Sequence, residues 1–196
     1  MFVPKYLLVL ALFAAGVNTR VYAEEIFVVK RVLDGETIEI SGGRTVQLMG
    51  VDAPSFADIR RNNANAKKRA ISPQVVNRFA RRARDYVDLK VKDKKVILVF
   101  DEVDDRSDNE NPREKLRAYV YLATELPKDM ADQTQHIHGH FEILDDKLPH
   151  FHLNASIIKY GYGFADESDV YTRKGDFQRL EYLARRNQRG LWREGK

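Results

Sequence analysis

The segment Val29–Pro54 reads VKRVLDGETIEISGGRTVQLMGVDAP. Two turn signals divide it: Asp34-Gly35 and Ser41-Gly42-Gly43-Arg44. Between them Thr37 to Ile40 (TIEI) alternates apolar and polar, as a half-buried strand does. Ile26 to Val29 before it and Thr45 to Val51 after it read as further strands, so the chain opens as a three-stranded meander. Downstream, Lys94 to Phe100 (KKVILVF) and Leu116 to Leu122 (LRAYVYL) supply a fourth and a fifth.

Helices separate and follow these strands. Ser72-Pro73 is a start signal, serine as N-cap and proline at the first helical position. Val75, Val76, Phe79, Ala83, Tyr86 and Val87 then recur at helical spacing, with Arg78, Arg81, Arg82 and Arg84 off that face. Asn154 to Tyr160 reads as a short helix stopping at Gly161, and Phe177 to Asn187 as a last amphipathic one before Gly190-Leu191-Trp192. Five strands with about three helices predict an α+β fold, a Greek-key barrel of the OB type. The face and loops of such barrels bind oligonucleotides or oligosaccharides in many proteins.

Composition sets the context. The chain has 196 residues, a formal net charge of +4 and no cysteine, so its stability rests on packing. Lys5, the apolar run Tyr6 to Val17 and the site Val21-Tyr22-Ala23 form a three-part export signal. Cleavage is expected after Ala23, leaving one domain over 24–196, secreted or periplasmic and monomeric. Retention of 1–23 as an anchor is the alternative, but the run is shorter than the roughly 20 apolar residues a membrane span needs. Charge is unevenly spread. Residues 60–96 hold thirteen Lys/Arg against three Asp, and residues 101–114 hold seven Asp/Glu against two Arg. The basic stretch suits an anionic polymer, and its four helix arginines are the candidate nucleic-acid contacts; a merely solvated face is the plain alternative.

Five motifs occur in order: Asp34-Gly35-x-Thr37; Leu48-x-Gly50-Val51-Asp52-x-Pro54; the LRAYVYL strand; Leu153-Asn154-x-x-Ile157-Ile158-x-x-Gly161; and Arg189-Gly190-Leu191-Trp192. In this the chain resembles the thermonucleases, the staphylococcal nuclease-like family. The resemblance implies an OB barrel with three helices and Ca²⁺-dependent hydrolysis of the 5′ P–O bond in DNA and RNA. Carried over position by position, it places the metal carboxylates at Glu36 and Asp52 and a backbone carbonyl ligand at Ala53. Two carboxylates and a carbonyl are hard oxygen donors suited to Ca²⁺. Glu36 stands where the family mostly has aspartate, one methylene longer, which weakens the implied Ca²⁺ site.

The implied catalytic positions are substituted. Gln47 stands at the first arginine position, Ser55 at the water-activating glutamate, and Lys115 at the second arginine, where it keeps charge but loses the bidentate fork. Losing one transition-state donor typically costs ~10²–10³ in rate, and losing general-base assistance ~10²–10⁴. Candidate substitutes are Asp58 for the base and Arg113 or Arg117, at strand spacing from Lys115, for the guanidinium.

All five histidines fall in a stretch over residues 125–152 that most of the family lacks. His136, His138 and His140 alternate, as do His150 and His152, with Asp145-Asp146-Lys147 as a turn between them. Period two places five imidazoles on one face, a set suited to Zn²⁺, Cu²⁺ or Ni²⁺. An ordinary amphipathic hairpin gives the same alternation. Three functions stay open: a secreted nuclease with compensated chemistry; a pseudoenzyme binding nucleic acid or another anionic polymer without cutting it; and a protein-interaction or metal-handling domain whose cleft is silent.

Overall fold

A computed structural model describes residues 26–103, 115–123, 141–143 and 149–195. The expected export signal, Arg113, and His136, His138 and His140 lie outside the described residues. Nine strands are described: β1 (Ile26–Val32), β2 (Thr37–Ile40), β3 (Thr45–Leu48), β4 (Val51–Asp52), β5 (Lys95–Val99), β6 (Leu116–Leu122), β7 (Phe141–Ile143), β8 (Pro149–His152) and β9 (Phe164–Ala165). The described helices are α1 (Ile59–Arg69), α2 (Pro73–Val91), α3 (Leu153–Lys159), α4 (Lys174–Arg186) and α5 (Leu191–Glu194).

Strands β3-β2-β1-β5-β6 lie side by side, and a parallel β3–β6 pairing closes them into a five-stranded barrel. These are the five strands read from the sequence. Strand β1 serves two neighbours. Its first half pairs with β5 (Ile26↔Ile97) and its second with β2 (Val32↔Ile38), with a register shift between Val29 and Arg31. A bulge there bends the strand so that one segment can turn a barrel corner. Val29, Ile38, Ile40, Val46, Leu48, Val96, Leu116, Ala118 and Val120, all nearly or fully buried, make the core.

Between β3 and β4 the chain turns at Gly50, φ +73°. A Cβ there would lie 2.6 Å from the Tyr171 ring and 2.8 Å from Phe177, so both conformation and space require glycine. Asn154, at the start of α3, is fully buried. Its Nδ2 donates to the carbonyls of Met49 (2.9 Å) and Ala118 (3.1 Å), and its Oδ1 accepts from the Val120 N–H (2.9 Å). One side chain thus holds the β3–β4 turn against β6.

A second core joins the helices. Ala66, Ile71, Val75, Val76, Phe79, Phe164, Ala184, Leu191 and Trp192 pack together. Leu191 and Trp192 close it, with the indole edge-on to Phe164. Helix α1 was not foreseen. Its buried residues are Asn62, Asn65, Ala66 and Arg69, so it carries almost no apolar periodicity. The expected helix start at 72–73 is observed, although the Ser72 side chain makes no capping bond.

Strands β7 and β8 pair antiparallel, and β8 adds to β6 outside the barrel. His150 is placed only by register, opposite Glu142. His152 corrects the expectation of five imidazoles on one open face. It pairs with Tyr121, is 1% exposed, and its ring stacks on the Tyr121 ring at 4.4 Å. The cause is connectivity: β8 runs directly into α3, which carries its last residue over β6 into the aromatic core with Phe177.

Candidate functional site

Three segments converge at one end of the barrel: the turn before β2, the end of β4, and the first turns of α1. Gly35 sets the first. A Cβ on it would meet Ala83 of α2 at 2.7 Å and Ala53 at 2.8 Å, so only glycine lets the turn sit this close. Asp34 Oδ1 accepts the Glu36 N–H (2.9 Å), the local bond of an Asx turn. Glu36 is therefore directed inward, 5% exposed, and its Oε2 accepts the Ala53 N–H at 2.7 Å. Glu36 and Asp52, which the resemblance assigns to one metal site, do share this end of the barrel.

The sequence reading missed Arg61. Its Nη1 donates to Glu36 Oε1 at 2.7 Å, its Nη2 donates to the Ala53 carbonyl at 2.9 Å, and its Nε lies 3.5 Å from Asp52 Oδ1. One guanidinium thus faces all three groups assigned as Ca²⁺ ligands. Asn65, four residues on and so on the same helix face, donates to Asp52 Oδ2 at 2.7 Å. Burial pushes the Glu36 carboxyl up to about 7, against the opposing pull of Arg61 and the Ala53 N–H. Burial likewise raises Asp52, opposed by Arg61 and Asn65. For Arg61 burial works downward, but Glu36 and Asp52 outweigh it and hold the guanidinium above its ordinary value.

These residues do not fit Ca²⁺. The oxygens are of the right class, but Ca²⁺ takes 6–8 oxygen ligands, and here both carboxylates and the carbonyl already accept from Arg61 or lie beside it. A divalent ion among them would stand against a fixed positive charge. Among the described residues no group of three or more His, Asp or Glu could hold a metal.

The substituted positions have other work. Ser55 is 6% exposed; its N–H donates to Asn62 Oδ1 (3.0 Å), its carbonyl accepts from Asn62 Nδ2 (2.8 Å), and its hydroxyl accepts the Ala57 N–H (3.1 Å). It is a turn residue held at both backbone groups. Asp58, the candidate substitute base, is the N-cap of α1 and accepts the Arg61 N–H at 2.9 Å. That bond explains why the helix begins there and how Arg61 is aimed. Lys115 is exposed and donates to Thr37 Oγ1 at 3.1 Å. Arg117 stands in register with Gln47 across the β3–β6 pair, and its guanidinium pairs with Asp169.

A cleft of about 350 Å³ opens beside Asp52, lined among others by Gln47, Arg61, Lys68, Arg69, Asp166, Glu167 and Asp169. Its cations are committed. Lys68 pairs with Glu167, and Arg69 pairs with Glu167 (3.2 Å) and Glu181 (3.0 Å). The cleft therefore shows a phosphate no net positive field.

Positive charge lies instead on α2. Arg78, Arg81, Arg82 and Arg84 are all exposed. Arg82 pairs with Glu194 and lies over the Phe79 ring, and Arg84 Nε reaches the Val32 carbonyl at 3.3 Å. Arg84 also lines a groove of about 480 Å³ with Lys30, Arg31 and Lys92. On the other flank, Tyr86, Tyr160, Tyr162, Arg82, Lys90 and Arg189 line a groove of about 900 Å³.

A closed OB-type barrel, with one carboxylate from the turn before β2 and one from the end of β4, defines the class of protein. Over residues 45–194 the chain matches the family described as staphylococcal nuclease homologue, and it belongs to that family. No curated relative matches it. Domains of this type bind nucleic acids in general, and the family is in general calcium-dependent. The matched span takes in Gln47, Asp52, Ser55 and Lys115, whereas Glu36 precedes it and is tied to the site by its contacts.

Proposed function

We propose that this protein is a staphylococcal nuclease-type barrel that binds an anionic polymer, with nucleic acid the first candidate, and does not hydrolyse it efficiently. The observation that carries the reading is Ser55. At the position where the family chemistry needs a carboxylate stands a buried serine whose backbone and hydroxyl are engaged in a turn. Gln47 supports the reading, since a neutral side chain cannot offset phosphate charge. The paired cations of the cleft support it too, because they leave the exposed arginines of α2 as the better electrostatic contact.

Such binding is dominated by phosphate neutralisation, so affinity falls steeply with salt. Filter binding of a labelled oligonucleotide over a salt series tests this. The double variant Arg78→Glu/Arg81→Glu is expected to weaken binding at least tenfold and to reduce the slope of log K against log salt by about 2. Its melting temperature should stay near the wild type's, since both side chains are exposed. Bound oligonucleotide should be recovered at full length. An affinity indifferent to salt and to both arginines would contradict the proposal.

One observation favours a compensated nuclease as the second reading. Arg117 lies beside Gln47 in register, so a guanidinium stands one strand over from the vacant arginine position. Its pairing with Asp169 weighs against that role.

A further inference from the structure

We infer that Arg61 is the resident cation of this site: its guanidinium compensates Glu36 and Asp52 from within the chain, so that the site takes no divalent ion until Arg61 is removed. The inference goes beyond the proposed function and holds whether or not a polymer binds.

The physical need comes first. Two carboxylates reach the same end of the barrel, with Glu36 nearly fully buried. Burying ionised carboxylates without a partner is costly, so a cation there stabilises their charged form. A guanidinium meets that need well. It is always charged and presents five N–H donors in a rigid planar fork. Here the fork donates to Glu36 Oε1 at 2.7 Å and to the Ala53 carbonyl at 2.9 Å, and its Nε forms an ion pair, without a hydrogen bond, with Asp52 Oδ1 at 3.5 Å.

The delivery is rigid. Asp58 caps the helix three residues before Arg61, Asn62 ties the next position to both backbone groups of Ser55, and Arg69 pins the far end to Glu167 and Glu181. Three points along α1 are thus fixed by polar contacts. The helix has few apolar residues to bury, and these contacts are what dock it. An added divalent ion must break the fork and then share the site with a positive charge.

The test compares wild type, Arg61→Ala and Arg61→Gln, with Ca²⁺ as probe and Tb³⁺ luminescence as a second readout. Wild type is expected to give no calorimetric heat and no shift in melting temperature with millimolar Ca²⁺, and no loss of stability in EDTA. Both variants should melt lower than wild type, and millimolar Ca²⁺ should recover part of the difference. Their Kd should fall near ~10⁻⁴–10⁻³ M, the range of weak Ca²⁺ modules. Adding Asp52→Asn to either variant should abolish the response. Should Arg61→Ala not fold, recovery of its circular dichroism by Ca²⁺ supports the inference, and Arg61→Gln decides by the melting readout. Ca²⁺ binding by wild type as tight as by the variants overturns the inference. So does a folded Arg61→Gln that ignores Ca²⁺ and melts like wild type.

Discussion

Replacing Asn154 by alanine is expected to destabilise the protein by about 4 kcal/mol: the Met49 carbonyl and the Val120 N–H lose their partner, at about 1–3 kcal/mol each, while the Ala118 carbonyl keeps the Met49 N–H. Asn154 is fully buried, and its amide serves the carbonyls of Met49 and Ala118 and the N–H of Val120. The loss falls on the β3–β4 turn, which also sets Asp52, so the site should loosen with the fold. Urea denaturation followed by tryptophan fluorescence measures it, Trp192 being the single tryptophan. A melting temperature lower by roughly 10 °C is expected for a chain of this length. A change within experimental scatter would show that the asparagine is not the brace described.

The second large effect is a gain. On the proposed reading three features oppose hydrolysis: a neutral residue at 47, a serine at 55, and a guanidinium beside the oxygens of Glu36, Asp52 and Ala53. The triple variant Gln47→Arg/Ser55→Glu/Arg61→Gln addresses all three. One transition-state donor is typically worth ~10²–10³ and a general base ~10²–10⁴. Residues acting as a unit do not contribute additively, so the changes together should exceed any one of them. Ca²⁺-dependent nicking of supercoiled plasmid by the triple variant is expected to exceed wild type by at least ~10². Reversion of Arg61 alone should remove most of that gain. A triple variant that folds and binds Ca²⁺ yet cuts no faster would mean that another part of the cleft, such as the carboxylates of Asp166, Glu167 and Asp169, keeps phosphate out.

Sequence patterns carried the barrel well because its strands alternate and its turns are marked by Asp34-Gly35 and Gly42-Gly43. The grouping of Glu36 with Asp52 followed from the motifs that carry the resemblance. Helix α1 was illegible by hydrophobic period, since the face it buries is Asn62, Asn65, Ala66 and Arg69. A capping signal was present: Asp58 precedes the helix and Ala70 ends it in the left-handed region. Polar residues at 58, 62, 65 and 69 also share one face, which polarity alone disguised as solvent exposure. Arg61 could not be read as a site residue, because its role depends on where the fork points. His152 shows the reverse error. Strict alternation grouped it with its neighbours, but the helix that follows drew it into the core against Tyr121.

These corrections share a cause. Sequence spacing reports which side of an element a residue lies on, and burial or exposure of that side is decided by what packs there. Carboxylates at a barrel end look like metal ligands until a neighbouring helix supplies the cation. Glu36, Asp52 and Ala53 stand where the resemblance implies metal ligands, and Arg61 is the cation observed beside them.

The most direct measurement is plasmid nicking by the purified wild-type protein, in millimolar Ca²⁺ and in EDTA, beside the Asp52→Ala variant. The account predicts the same background rate in all three reactions, with supercoiled plasmid persisting through the time course. Rapid conversion to nicked and linear forms in Ca²⁺, lost in EDTA and in Asp52→Ala, would contradict it, because Asp52 would then be holding a catalytic metal despite Arg61.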